Sequence, residues 1–230
     1  VKTHGGSGTS NLAYGLVAYE FEKIDSSYRS SISVQSSLVI HPINEFGSQE
    51  QKDKYLPQLI KGEKIGCFGL TESEAGSDPA SMKTSFKKTK DGYILNGSKN
   101  WITNSPIADI FIIWAIEENK DHKSIEGFIL EKNYNGLETS TIENKTSLKI
   151  SPTGQIILNN VKVPENSRLQ KTKGWKSVFS CLNKARFGIS WGVLGAATEC
   201  WLIAKEYVEN RIMFKKPLAS NQLIQKKLSE

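Results

Sequence analysis

Three short stretches carry residue types that could do chemistry together. The first is Phe68-Gly69-Leu70-Thr71-Glu72-Ser73-Glu74-Ala75-Gly76-Ser77-Asp78, with two glycines, several hydroxyls and three acids. Glycines let a flat ligand approach the backbone, whose N–H groups then donate to its carbonyls or phosphates. Composition alone also allows a plain acid-capped surface loop. The second stretch, Trp101-Ile102-Thr103-Asn104, follows an Asn96-Gly97 pair. An indole face beside a hydroxyl can stack on a ring and bond its edge, although a strand Trp alone is usually core. The third spans residues 26–37, where seven serines surround Arg29. Ser is a mediocre helix former, so such density points to close packing or a polar cleft. A guanidinium there can hold both oxygens of a carboxylate. The plain alternative pairs Arg29 with Glu22 or Asp25.

Other site classes find little support. Lys plus Arg exceed Asp plus Glu by 30 to 24, a net charge of +6. The basic residues are scattered among acids, which argues against a nucleic-acid arm but suits a substrate with several phosphates. Cys67, Cys181 and Cys200 form no CxxC pair, and His4, His41 and His122 lie far apart. Neither a disulfide framework nor a metal site is expected, and a reducing compartment fits. No continuous run of about 18 apolar residues is present and no signal peptide stands at the N-terminus, so no transmembrane segment is expected.

The elements that must position these residues follow in three textures. Residues 1–64 read as helical, 65–170 as strands and 171–230 as helical again, an α+β chain of three parts. Helices are expected from Leu12 to Ile24 after Ser10 or Asn11, from about Tyr28 to Ile40 with an end before Pro42, and from a Ser48/Gln51 capping box to Gly62. Asp91-Gly92, Asn96-Gly97 and Asn159-Asn160 read as tight turns in an antiparallel β-barrel or sandwich, with strands at Ala108–Ile116, Ile125–Glu131 and Gln155–Leu158. Residues Val178, Leu182, Ala185, Ile189, Val193, Ala196, Cys200, Ile203 and Tyr207 repeat at helical spacing, which predicts one long helix. A turn over Lys215–Leu218 leads to a further helix at Asn221–Leu228. Two such helices cannot enclose a core alone, so the helical bundle reads as truncated.

The strings FGLTESEAGSD and NGSKNWITNS closely resemble the flavin-binding signatures of the acyl-CoA dehydrogenase family. The resemblance continues in order through YLPQLIKGEKIGCFGLTE, NARFGISWGVLGAA, Arg211-Ile212-Met213-Phe214 and PLASNQLIQKKL. It covers nearly the whole chain and implies FAD as cofactor. It places Phe68 to Ser77, including Gly76, along the flavin, with Leu70 and Thr71 near the pyrimidine side. Trp101, Ile102 and Thr103 would cover the other edge, with Thr103 near the hydride-accepting nitrogen. Ser77 would touch both flavin and coenzyme A. Arg211 and Gln222 would reach the FAD of a neighbouring subunit, implying a homotetramer.

Within the family, Tyr28 to Ser37 looks most like glutaryl-CoA dehydrogenase. Arg29 would meet the far carboxylate, Ser30 and Ser33 would share its pocket, and Glu22 would tune Arg29. Phe179, Asn183 and Arg186 match the segment that holds the coenzyme A chain. The implied reaction is oxidative decarboxylation of glutaryl-CoA to crotonyl-CoA and carbon dioxide, with electrons passed to electron-transfer flavoprotein. The family's proton-abstracting Glu is expected beyond residue 230, so no carboxylate here is assigned that role, and Glu72, Glu74 and Asp78 are expected to shape their loop. The chain alone is therefore expected to have little activity. The implied location is the mitochondrial matrix in a eukaryote or the cytoplasm in a bacterium. Alternatives are a dehydrogenase of another short or branched acyl-CoA, or an inactive paralogue that binds coenzyme A or a partner protein.

Overall fold

The computed structural model describes residues 2–230. Helix α1 (Asn11–Ile24) starts where the Ser10 hydroxyl accepts from Ala13 N, and Asp25 both ends it and caps α2 (Ser26–Ser33) by accepting from Ser27 N. Such oxygens satisfy donors that have no partner in the first helical turn. The expected stop before Pro42 is corrected by the structure. A π-helical segment (Val34–Ile40) carries the chain directly into α3 (His41–Phe46), with Pro42 in its first turn. Proline lacks an N–H and crowds the carbonyl four residues back, and a wider i→i+5 turn just ahead of it, closed by His41 N–H on Ser36 O, relieves both problems. Helix α4 (Gln49–Lys61) has the expected Ser48/Gln51 box and ends at Gly62, whose φ of +75° is the left-handed conformation glycine favours.

Gln35 joins this helical layer to the sheet. Its amide donates to Leu59 O and Lys64 O and accepts from Gly66 N, each at 2.9 Å. Strand β1 (Gly66–Gly69) begins there and runs parallel to β4 (Ile110–Glu117). Strand β2 (Ser85–Thr89) shares that edge of β4 further along, also parallel, while β5 (Ile125–Glu131) lies antiparallel on the other edge. Hairpin β2–β3 (Gly92–Thr103) turns at Lys90-Asp91, one residue ahead of the expected Asp91-Gly92, and β3 pairs with β7 (Thr153–Pro164), which pairs with β6 (Leu137–Thr141). The curled sheet is therefore mixed, not wholly antiparallel. Sequence separation hides such parallel pairings, which need long crossovers.

Asn96-Gly97 and Asn159-Asn160 are not turns. They lie inside β3 and β7, where the register shifts between Leu95 and Gly97. Asn96 Oδ1 accepts from Asn160 N at 2.7 Å, and the positive φ of both Gly97 and Asn160 suits a bulge as well as a hairpin.

Strand β4 divides two cores. Ile110, Ile112 and Trp114 face the helices, while Phe111, Ile113 and Ala115 face into the curl with Phe86, Tyr93 and Phe128. Helix α5 (Trp175–Asn210) then leaves the sheet and packs along α1 through small residues. A Cβ at Gly195 would stand 2.1 Å from Tyr19 O, and one at Gly188 would meet the Tyr14 ring. Many large apolar residues of both helices face outward, Leu12 and Leu16 on α1 and Val193, Leu194 and Ile203 on α5 among them. By length and composition α5 alone among the described residues could cross a membrane, which a search for continuous apolar runs misses. The two-residue strands β8 (Ile212–Met213) and β9 (Lys216–Pro217) and helix α6 (Gln222–Ser229) complete the fold.

Candidate functional site

Where β1 ends, the chain enters a loop folded back on itself by paired backbone bonds between Glu72 and Ala75. The Glu72 side chain turns inward and accepts from Lys83 N at 2.7 Å, Thr84 N at 2.9 Å and Lys99 Nζ at 2.9 Å. Lys99 is wholly buried, and its ammonium also donates to Leu70 O at 3.0 Å. Burial draws the Lys99 pKa down to about 8, against the pull of Glu72. Burial would raise Glu72, but the Lys99 ammonium and the backbone donors prevail and hold its carboxyl below the usual range. Both groups are therefore charged near neutral pH.

Two residues beyond Lys99, β3 loses register with β7 and Trp101 takes a φ of +59°. Such a backbone is uncommon for a bulky residue and costs on the order of 1–3 kcal/mol. The bulge turns the indole out of the sheet, leaving it 58% exposed. Asn100 fastens it to the first loop, its N–H donating to Thr71 O at 2.9 Å and its side-chain amide to Ser73 Oγ at 3.2 Å.

The two loops enclose a cavity of about 180 Å³. Thr71 and Thr103 bring hydroxyls to it, and Phe68, Leu70, Trp101 and Ile102 complete the sheet side. The helical side is apolar, formed by Val34 and Leu38 of the π segment and Leu182 of α5. An apolar wall opposite an indole and two hydroxyls is a make-up that fits a flat heteroaromatic ring with a polar edge. Gly76 agrees with this fit, since a Cβ there would meet no protein atom within 4 Å and its smallness is not demanded by packing.

Six of the residues singled out for the cofactor thus converge: Phe68, Leu70, Thr71, Trp101, Ile102 and Thr103. Gly76 and Ser77 lie exposed further along the same loop. Arg29 is not in the cavity wall. It is buried in an ion pair, its Nε on Glu22 Oε2 and its Nη2 3.5 Å from Glu22 Oε1, with Gly192 packed over both side chains. This is the plain pairing that residue spacing alone favoured. Ser33 is buried and Ser30 half-buried on the same helix.

On α5, Phe179 is exposed beside Trp175, and Arg186 donates to Asn183 Oδ1 at 2.8 Å. Asn183 faces a different and larger cavity of about 610 Å³ between α1, the π segment, α3 and α5. Arg211, which ends α5, and Gln222, which begins α6, are exposed and do not line the cavity. Among the described residues no cluster of His, Cys, Asp and Glu could hold a metal ion.

Sequence reasoning passed over Lys99, Gln35, Val34, Leu38 and Leu182 as site residues. Lys99 had a legible signal, since it falls on the same alternation of β3 as the buried Tyr93 and Leu95. The inward acid that partners it, Glu72, comes from a loop and had no periodicity to reveal it.

Three consecutive parts of one family's sequence profile match the chain. They are "Acyl-CoA dehydrogenase, N-terminal domain" at residues 1–63, "middle domain" at 67–161 and "C-terminal domain" at 172–230. An acyl-CoA dehydrogenase of Bacillus subtilis is 38% identical over 229 residues, 99% of this chain, and the chain spans 60% of that relative's length. The crystal structure of a glutaryl-CoA dehydrogenase from Mycobacterium smegmatis in complex with FADH2 superposes with a TM-score of 0.95 at 42% identity, over 98% of this chain and 57% of that one. Butyryl-CoA dehydrogenase from Megasphaera elsdenii gives 0.93 at 36% identity, over 100% and 61%.

Proposed function

Given that the chain belongs to the acyl-CoA dehydrogenase family, we propose that it binds FAD in the cavity between Thr71 and Thr103 and forms the flavin half of an acyl-CoA dehydrogenase. The observation that carries this reading is the convergence of Thr71, from the loop after β1, with Trp101 and Thr103, from the end of β3, on one cavity with an apolar far wall. FAD when bound supplies the two-electron acceptor. The residues of this chain do the rest of the positioning. With FAD in the cavity, the Trp101 indole would offer a stacking face, Thr71 and Thr103 would offer hydroxyls to a polar edge, and Val34, Leu38 and Leu182 would supply an apolar wall that limits water. Among the described residues that line the cavity none is a carboxylate, and we propose none of them as the proton-removing group. Electron-transfer flavoprotein is the proposed onward electron acceptor, and a homotetramer the proposed assembly.

Among acyl-CoA substrates we favour glutaryl-CoA. The Arg29 guanidinium sits on the helix that continues into the cavity-lining π segment, and its pairing with Glu22 aligns it while leaving donors for a second carboxylate. A short straight or branched acyl chain is the second reading, favoured by the engagement of Arg29 with Glu22. Titration of the purified chain with FAD tests the first claim: a bound flavin band near about 450 nm is expected, and its absence rejects the reading. With FAD bound, Arg29→Met/Glu22→Gln, which removes both charges of the buried pair, should weaken glutaryl-CoA binding at least about tenfold and leave butyryl-CoA binding unchanged. Equal effects on both ligands would favour the short-chain reading.

A further inference from the structure

We propose that Lys99 is a positioning residue of the flavin site, a buried clamp that fixes the two ligand-facing loops against each other. The proposal rests on the reading of the cavity as a flavin site.

Its ammonium donates to the Leu70 carbonyl and to the Glu72 carboxylate, the residues on either side of Thr71. Lys99 itself stands two residues before Trp101, at the edge of the bulge that turns the indole outward. One group therefore sets the spacing between both hydroxyls and the indole. The Lys99 stem crosses β1 at Gly69, where a Cβ would come within 3.2 Å of Lys99 Cγ and 2.6 Å of Ile113 Cδ1. The Met82 sulfur, 3.7 Å from Nζ, closes the remaining side.

Stability does not explain such a pair. Removing two charges from water is costly, and apolar replacements of similar volume are often as stable or more so. A buried ammonium does offer several directed bonds from one point, and it holds a loop carbonyl that an apolar side chain cannot hold. The Leu70 carbonyl lies outside any regular ladder, so Lys99 is the bond that fixes its direction.

The test compares wild type with Lys99→Met/Glu72→Gln. The single Lys99→Met variant would leave Glu72 buried without its cation, which endangers the fold for a separate reason. Amide hydrogen exchange on the flavin-free chain should accelerate at least about tenfold in residues 70–75 and 97–103, with β4 and β5 protected as before. FAD should dissociate at least about tenfold more readily, with an altered flavin band shape. The proposal is overturned by unchanged exchange in the two loops, by equal acceleration in β4, or by undiminished FAD affinity. A wild-type chain that takes up no FAD rejects the flavin reading separately, and the exchange comparison then decides the clamp alone.

Discussion

Strand β4 and helix α5 are both rich in large apolar residues, yet one hides them and the other displays them. In β4 every side chain from Ile110 to Ala115 is buried, alternately against the helices and inside the curl. In α5 the buried face beyond Cys181 is mostly Ala185, Gly188, Gly192 and Gly195, while Ile189, Val193, Leu194 and Ile203 are exposed. The difference follows from how the two elements approach their neighbours. A pleated strand with layers on both sides buries whatever it carries. Two helices whose backbones nearly touch can meet only through small residues, and their large side chains are left for other faces. An apolar helical stripe thus reports that a helix has a preferred face, without saying which face meets the neighbour at hand.

The sharpest way to break this comparison is in the strand. Trp114→Ala should cost about 3–5 kcal/mol in urea-induced unfolding, the loss expected when a large buried aromatic is truncated. A loss below about 1 kcal/mol would show that the core around β4 collapses to fill the gap. On the helical side, Gly195→Leu should cost about 1–3 kcal/mol by forcing side-chain atoms against the Tyr19 carbonyl. An unchanged unfolding midpoint would mean that the α1–α5 contact contributes little. Leu194→Gln, one residue away and outward, should change stability by less than about 0.5 kcal/mol. A larger loss, together with dissociation in sedimentation experiments, would reveal that the outward stripe is covered in solution.

Much of the fold was legible where local chemistry decides structure. Ser48 with Gln51, and Gly62, mark helix ends through bonds made within a few residues, and the structure has each of them. What escaped reading depends on distant partners. Asn96-Gly97 has the residues of a hairpin turn, but Asn160 stands opposite and converts it to a bulge inside a long strand. Pro42 has the look of a helix stop, and the π turn before it lets the helix continue. The site was legible as two strings because their hydroxyls, glycines and indole cluster in sequence. Its helical wall was not, since Val34, Leu38 and Leu182 look like any other apolar helix residues. Arg29 shows the limit from the other direction: its partner Glu22 lies in plain view on the preceding helix, and only coordinates show that the pair closes.

The widened turn at Val34–Ile40 has a consequence for how this scaffold can change. A regular helix advances about 100° per residue, so it keeps a fixed angular phase along its length, and a π turn resets that phase. Val34 and Leu38 here face the small cavity while Ser36 and Ser37 face the larger one. A π turn holds one residue more than an α turn, so loss of one residue within 34–40 would allow an ordinary helix to form with the stretches on either side kept in about the same angular relation. What would change is the segment itself, whose side chains would be shared out differently between the two cavities they now line. In this segment, then, one residue of chain length decides which side chains face each cavity.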